Sequence, residues 1–204
     1  HADRLAALII EPVMGGAGCI PAEDDFLHML RHETEQHGIV LIFDEVMTSR
    51  LSPGGLHQLV GITPDLISFG KYLGGGVTFG AFGGRTDLMA RLDPRRPDAL
   101  VHSGTYNNNV LTMAAGIAGL SKVFTPDTTE RLNRTGDDFR QHLQSVADQH
   151  DAPFQIMGRG SMICIHPQRE PIRNPADTAA SSAAARKLVH LEMHLRGFYL
   201  ARRG

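Results

Sequence analysis

Cysteine is scarce in this chain. The 204 residues hold two, Cys19 and Cys164, with no paired spacing, which argues against a disulfide framework and against a zinc site. Basic runs are missing as well. Nothing exceeds the pairs Arg95-Arg96 and Arg202-Arg203, and the net charge is -2, so neither a nucleic acid nor an anionic membrane is an expected partner. No apolar stretch reaches membrane-spanning length and nothing resembles a signal peptide, so the expected setting is a reducing cytoplasm. A nucleoside-triphosphate loop is excluded too, because Lys71 is followed by Tyr72 rather than Ser or Thr and the first glycine of that motif is absent. No Gly-x-Gly-x-x-Gly opens a helix where a dinucleotide fold needs one.

What is present is apolar mass in short, continuous runs. At 42% hydrophobic and 21% charged, the chain has enough for a sizeable core. The runs "LAALIIEPV", "IVLIFDEV", "DLISFG" and "FGAFGG" read as strands, and "AEDDFLHMLRHETEQHG" reads as a helix with Phe26, Leu27 and Leu30 at helical spacing and Gly38 at its end. "TDLMARL" reads as a helix capped by Thr86. Further helices are predicted over 107–124, 127–150 and 176–195, with strand material in "FQIMGRGSMICIHP". Continuous rather than alternating strands separated by helices predict an α/β fold, a mostly parallel sheet covered by helices. A composition shift near Thr125-Pro126 predicts a boundary, with a large domain over 1–125 and part of a small α+β domain over 126–204. The termini read as cut from something longer, since the closing "GFYLARRG" is strand-like with nothing to cover it.

In open sheets of this kind the chemistry sits beyond the carboxyl ends of the strands, where Glu11, Asp44 and Lys71 fall. A carboxylate at a buried strand tip needs a cationic answer, which a lysine or a ligand with a protonated ring nitrogen would supply. The second answer, with a nearby lysine amine to attack a carbonyl, is the protein's part in pyridoxal phosphate chemistry. By position alone Lys71 also reads as a surface lysine after a strand. Glu45 is expected to turn to a structural partner.

"EPVMGGAGCIP", "LIFDEVMTSR", "PDLISFGKYLGGGVTFGAFGG" and "GTYNNNVLTMAAG", in this order and spacing, closely resemble the class III aminotransferases of fold type I. The branch most resembled contains glutamate-1-semialdehyde 2,1-aminomutase and the β-amino-acid transaminases. The resemblance implies pyridoxal 5'-phosphate as cofactor, an amino donor and a keto-acid acceptor as substrates, and a homodimer with shared active sites. Residue by residue, it implies that Lys71 holds the cofactor through a Schiff base and moves the substrate proton, that Asp44 bonds the pyridine nitrogen, and that Val46 packs on the ring. Gly104 and Thr105 match the segment that reaches the phosphate in the partner subunit. Thr105 reads equally as a helix N-cap, and Glu11 as an acid near the site or a structural strand-end acid. Met14, Arg202 and Arg203 match positions near the substrate, although the two arginines read equally as solvated surface groups.

Two departures narrow the substrate. Ornithine-type members carry a glutamate where Gly16 stands, which makes ornithine and acetylornithine poorer guesses, and the aminomutase tends to have Pro-Ser where Arg202 and Arg203 stand. An aminotransferase acting on a β- or γ-amino acid or amino ketone is the expected function. Racemases and decarboxylases of the same fold, a semialdehyde-type aminomutase, and a catalytically incompetent fragment serving as an interaction module are the alternatives.

Overall fold

A computed structural model describes residues 2–200. In chain order its elements begin with β1 (Ala7–Ile10), β2 (Val13–Met14), β3 (Ile20–Pro21), α1 (Asp24–Gln36), β4 (Val40–Asp44), α2 (Leu56–Leu59) and β5 (Leu66–Gly70). There follow β6 (Gly80–Gly84), α3 (Thr86–Met89), α4 (Val110–Ala118), α5 (Pro126–Gln149), β7 (Gln155–Arg159), β8 (Met162–His166) and α6 (Ala183–Leu195). They divide into two units, residues 1–12 with 23–129, and residues 13–22 with 130–204.

The first unit is built on a four-stranded sheet in the order β1-β4-β5-β6, with the first two pairings parallel and the last antiparallel. The strands that read as continuous apolar runs are the parallel ones, while glycine-rich β6 turns back along β5. On one face Leu41 and Phe43 of β4 are wholly buried, as are Leu27 of α1 and Leu56 of α2. The other face is open among the described residues, with Ile9 64% exposed. Phe26 is also exposed, because the buried stripe of α1 runs through Leu27 and Thr34, one position off the expected one. Thr34 fits there by donating its hydroxyl to Leu30 O at 2.7 Å within the same helix.

Asp65 fastens the foot of this sheet. Its Oδ2 accepts from Leu41 N at 2.7 Å and from Arg31 Nη1 at 3.1 Å, and its Oδ1 accepts from Arg85 Nη1 at 2.8 Å, so one carboxylate joins β4, α1 and the segment after β6. Burial opposes its charge, but the Leu41 amide and the two guanidinium groups outweigh that and hold the carboxyl below the usual carboxylate range. A depressed folded-state pKa contributes stability above the unfolded value and loses it as pH falls through the folded one. Thermal unfolding of the full-length protein is therefore expected to show falling stability below about pH 4. Asp65→Asn is expected to cost about 2–3 kcal/mol at neutral pH and to flatten that acid limb. An acid limb left unchanged in Asp65→Asn would assign it to other groups.

The second unit pairs β7 with β8 in an antiparallel hairpin and β2 with β3 in a second, and β3 packs against β7. Helix α5 clasps the β7–β8 turn, with Asp137 Oδ1 accepting from Gly160 N and Asn133 Oδ1 from Ser161 N, both at 2.9 Å. His166 Nε2 donates to Gly18 O at 2.7 Å. Cys19 and Cys164 are free and buried, and burial pushes both thiols up, Cys164 to about 11.

Three local expectations are corrected. Arg85, not Thr86, holds the cap position of α3, and no side chain bonds the helix start there. The helix expected over 176–195 is broken at Ser181-Ser182, where a 3₁₀ turn capped by Asn174 ends and Ser182 caps α6 by accepting from Ala185 N. Residues 197–200 form no strand, and 201–204 lie outside the described residues.

Candidate functional site

The parallel strands deliver their carboxyl ends to one edge of the first unit. Asp44 ends β4 and pairs in register with Ser68 of β5, and Lys71 follows about 10 Å of extended chain further on. Asp44 Oδ1 accepts from Ser68 Oγ at 3.0 Å and from Val46 N at 3.1 Å. Both bonds use one oxygen; among the described residues Oδ2 has no hydrogen bond. Half-buried and anchored on one side, this carboxylate is oriented but not saturated.

Glu45, the next residue, faces the opposite way and is fully buried. Its Oε2 accepts from Leu56 N at 2.7 Å, and its Oε1 accepts from His57 N at 2.9 Å and His57 Nδ1 at 2.8 Å. A carboxylate only accepts, so His57 carries its proton on Nδ1. The two acids at the strand tip therefore divide their work, as the period of two along a strand requires. Glu45 holds the chain after the strand, and Asp44 is presented outward.

Val46 returns toward Asp44's side and packs over the end of β5, where a Cβ on Gly70 would lie 3.3 Å from Val46 Cγ1. Lys71 is exposed and begins a 3₁₀ turn, Lys71–Gly74. Glu11 is exposed beside Asp44's strand, one residue past the register pair Ile10 and Phe43. Asp44, Val46, Gly70 and Lys71 are thus brought together, with Glu11 on the adjoining strand end.

Gly104 and Thr105 lie in an exposed turn before α4, and no hydrogen bond joins either to Asp44 or Lys71 among the described residues. That segment meets the sheet through His102, whose ring sits edge-on to Phe82 at 5.4 Å. Thr105 is not the cap of α4; Asn109 is, accepting from Leu111 N at 3.1 Å and Thr112 N at 3.2 Å. Met14 is a half-buried residue of β2 in the second unit. Arg202 and Arg203 lie outside the described residues.

The glycine run after Lys71 seats a helix. A Cβ on Gly116 of α4 would come 2.5 Å from Leu73 O, and one on Gly75, whose φ is 61°, would overlap the Ala115 carbonyl. The turn carrying Lys71 and the small-residue face of α4 therefore meet backbone to backbone. Gly75→Ala is expected to cost about 2–5 kcal/mol through strain and overpacking, whereas Gly80→Ala, with open space around its Cβ, changes stability little. Denaturant unfolding of the two variants side by side checks this, and equal midpoints would refute the seating.

Neither Ser68 nor Asn109 is singled out by reading the sequence. Strand register reveals Ser68, and no local signal marks it. For Asn109 the local signal was an Asn just ahead of the helical "VLTMAAG" run, where an N-cap is preferred.

A site with an anchored carboxylate, an apolar side chain over a glycine, and a lysine at the end of the neighbouring strand has the parts to hold a flat ring that carries a protonated nitrogen and a carbonyl. The family model described as "Aminotransferase class-III" matches residues 1–198. The β-phenylalanine transaminase of Variovorax paradoxus is 45% identical over 204 residues, which is 100% of this chain and 47% of that protein. A crystal structure of a β-phenylalanine aminotransferase from the same organism matches with a TM-score of 0.97 over 100% of this chain and 47% of its own. A glutamate-1-semialdehyde 2,1-aminomutase of Akkermansia muciniphila is 38% identical, covering 98% of this chain and 47% of its own. A solved transaminase with PLP bound is 32% identical with a TM-score of 0.88, over 100% of this chain and 47% of its own. The chain thus spans about half the length of the relatives it matches.

Proposed function

The chain belongs to the class III aminotransferases, and from that premise we propose that this protein is a pyridoxal 5'-phosphate-dependent aminotransferase. Asp44 at the tip of β4, with Lys71 just past the end of β5, carries the reading. When bound, the cofactor supplies an electron sink and a carbonyl that takes up an amino group. Asp44 would hold the ring nitrogen, its carboxylate oriented by Ser68 and the Val46 amide. Val46 would pack on the ring face, with Gly70 leaving it room. Lys71 would hold the cofactor through its amine, with loss of water, and would move a proton at the substrate carbon.

The amino donor is a β- or γ-amino acid or amino ketone and the acceptor a keto acid, a choice supported by the 45% identity to β-phenylalanine transaminase. The active unit is a homodimer in which Gly104 and Thr105 reach the cofactor phosphate of the partner subunit. Their exposure here, with Val101, Tyr106, Val110 and Leu111 each at least 75% exposed around them, supports it. Glu11 borders the site, while Met14, Arg202 and Arg203 contact substrate. The large domain is drawn over 1–125 and the small one over 126–204, except that residues 13–22 group with the second unit. The protein works in the cytoplasm, in keeping with two buried cysteines left free. No helix among the described residues is long and apolar enough to cross a membrane.

The deciding experiment is an absorbance spectrum of the full-length protein with pyridoxal phosphate. The expected result is a band at the edge of the visible that shifts when a β-amino acid is added. No band would overturn the reading and leave an interaction module in its place.

A further inference from the structure

Lys71 has a φ of 51°, in the left-handed region where a residue with a side chain is strained. Such a conformation persists only where its surroundings enforce it. Before Lys71 the enforcement is steric. Gly70 is buried, and a Cβ there would meet Phe79 O at 3.2 Å and Val46 Cγ1 at 3.3 Å, so the strand end is wedged between β4's tip and the residue ahead of β6.

After Lys71 it is aromatic. The Tyr72 ring lies 4.8 Å from that of Phe124, tilted by 60°, and the Arg50 guanidinium carbon stands 5.6 Å from its centroid. The Tyr72 carbonyl accepts from Gly75 N at 3.0 Å and closes the turn. Burial pushes the Tyr72 hydroxyl above the usual phenol range, so Arg50 meets the face of a neutral ring. Arg50 comes from the segment after β4 and Phe124 from the end of the π-helical turn that continues α4. One ring thus takes its bearings from both elements that border the site.

We propose that Tyr72 is a positioning residue for Lys71, its ring clamped between Phe124 and Arg50 so as to fix the left-handed backbone that aims the lysine amine. This rests on the reading of Lys71 as the cofactor lysine. The ring does the holding, since Phe124 and Arg50 both contact it, and the hydroxyl, which meets Ser49, contributes less.

The test compares Tyr72→Ala and Tyr72→Phe in the full-length protein. Amide hydrogen exchange across residues 71–75 is followed without cofactor, and pyridoxal phosphate affinity and the pH dependence of the absorbance band are measured with it. Tyr72→Ala is expected to speed exchange in that turn about tenfold without speeding it in α1, and to weaken cofactor binding about tenfold as the competent turn becomes a minor population. It also moves the pH at which the band changes. Tyr72→Phe stays within about twofold of the parent in both quantities and keeps the pH midpoint. Unchanged exchange at 71–75 in Tyr72→Ala overturns the clamp, as does a Phe variant as impaired as the Ala one. A parent protein that takes up no pyridoxal phosphate sinks the cofactor reading alone, and the exchange comparison still decides whether Tyr72 fixes the turn.

Discussion

Lys71→Ala in the full-length protein is expected to abolish the absorbance band at the edge of the visible and to lower transamination at least about 10⁴-fold, the upper range of what a positioned proton-transfer group contributes. The expectation is that high because, in the proposed reading, one amine would serve twice, as the covalent anchor of the cofactor and as the base at the substrate carbon. The chain offers no substitute. It holds three lysines, and the other two, Lys122 in the π-helical turn and Lys187 in α6, lie on helical segments rather than at the end of a strand next to Asp44's. Lys187→Ala is therefore expected to leave both band and turnover unchanged. Retention of the band in Lys71→Ala would place the cofactor link elsewhere.

The second large effect falls on stability. Glu45→Ala is expected to destabilise the protein by about 3–5 kcal/mol. Removing that carboxylate strands three donors, the Leu56 and His57 amides and the His57 ring, in a place where Gly55 is packed so closely that a Cβ on it would lie 2.7 Å from Glu45 Oε2. Glu45→Gln is nearly isosteric yet still costs about 2–3 kcal/mol, because its NH₂ group must face a donor whichever way the amide is turned. Chemical denaturation of both variants measures this. Since Asp44 is the adjacent residue, loss of cofactor affinity is expected to accompany loss of stability. A Gln variant as stable as the parent would mean that the carboxylate's acceptor role is not what holds the segment after β4.

Much of this was legible in the sequence. The apolar runs ending in Asp44 and just before Lys71 are parallel neighbours, and Glu45 turns to the structural partner expected of it. The burial of such strands leaves a strong local trace, and an acid at a buried tip is conspicuous. The unread parts depend on contacts between residues distant in sequence. Ser68 bonds Asp44 through register across 24 residues, and the Tyr72 ring meets Phe124 after the chain has passed through β6, α3 and α4. The glycines at 74–76 mark a close approach without saying of what; at Gly75 it is the backbone of α4, which composition cannot distinguish from a ligand. Phe26, apolar and at helical spacing, still faces outward, because a single-position rotation of the buried stripe lies within what periodicity resolves.

The second unit's inserted hairpin bears on how the protein comes to be folded. Gly18 and His166, joined by a hydrogen bond, are separated by 148 residues, and β3 reaches β7 only after the whole of 23–129 has been threaded out and back. Closing so long a loop carries an entropic cost that rises only slowly with length, but it sets a late and slow step, because no contact rewards the closure until both ends exist. During synthesis, residues 13–22 leave the ribosome long before their partners and wait without them, while the sheet of the first unit has its strands in hand by residue 84. The expected order of assembly is therefore sheet first, then the distant hairpin, and residues 13–22 are expected to stay accessible longest in a nascent chain, which limited proteolysis of stalled chains would check.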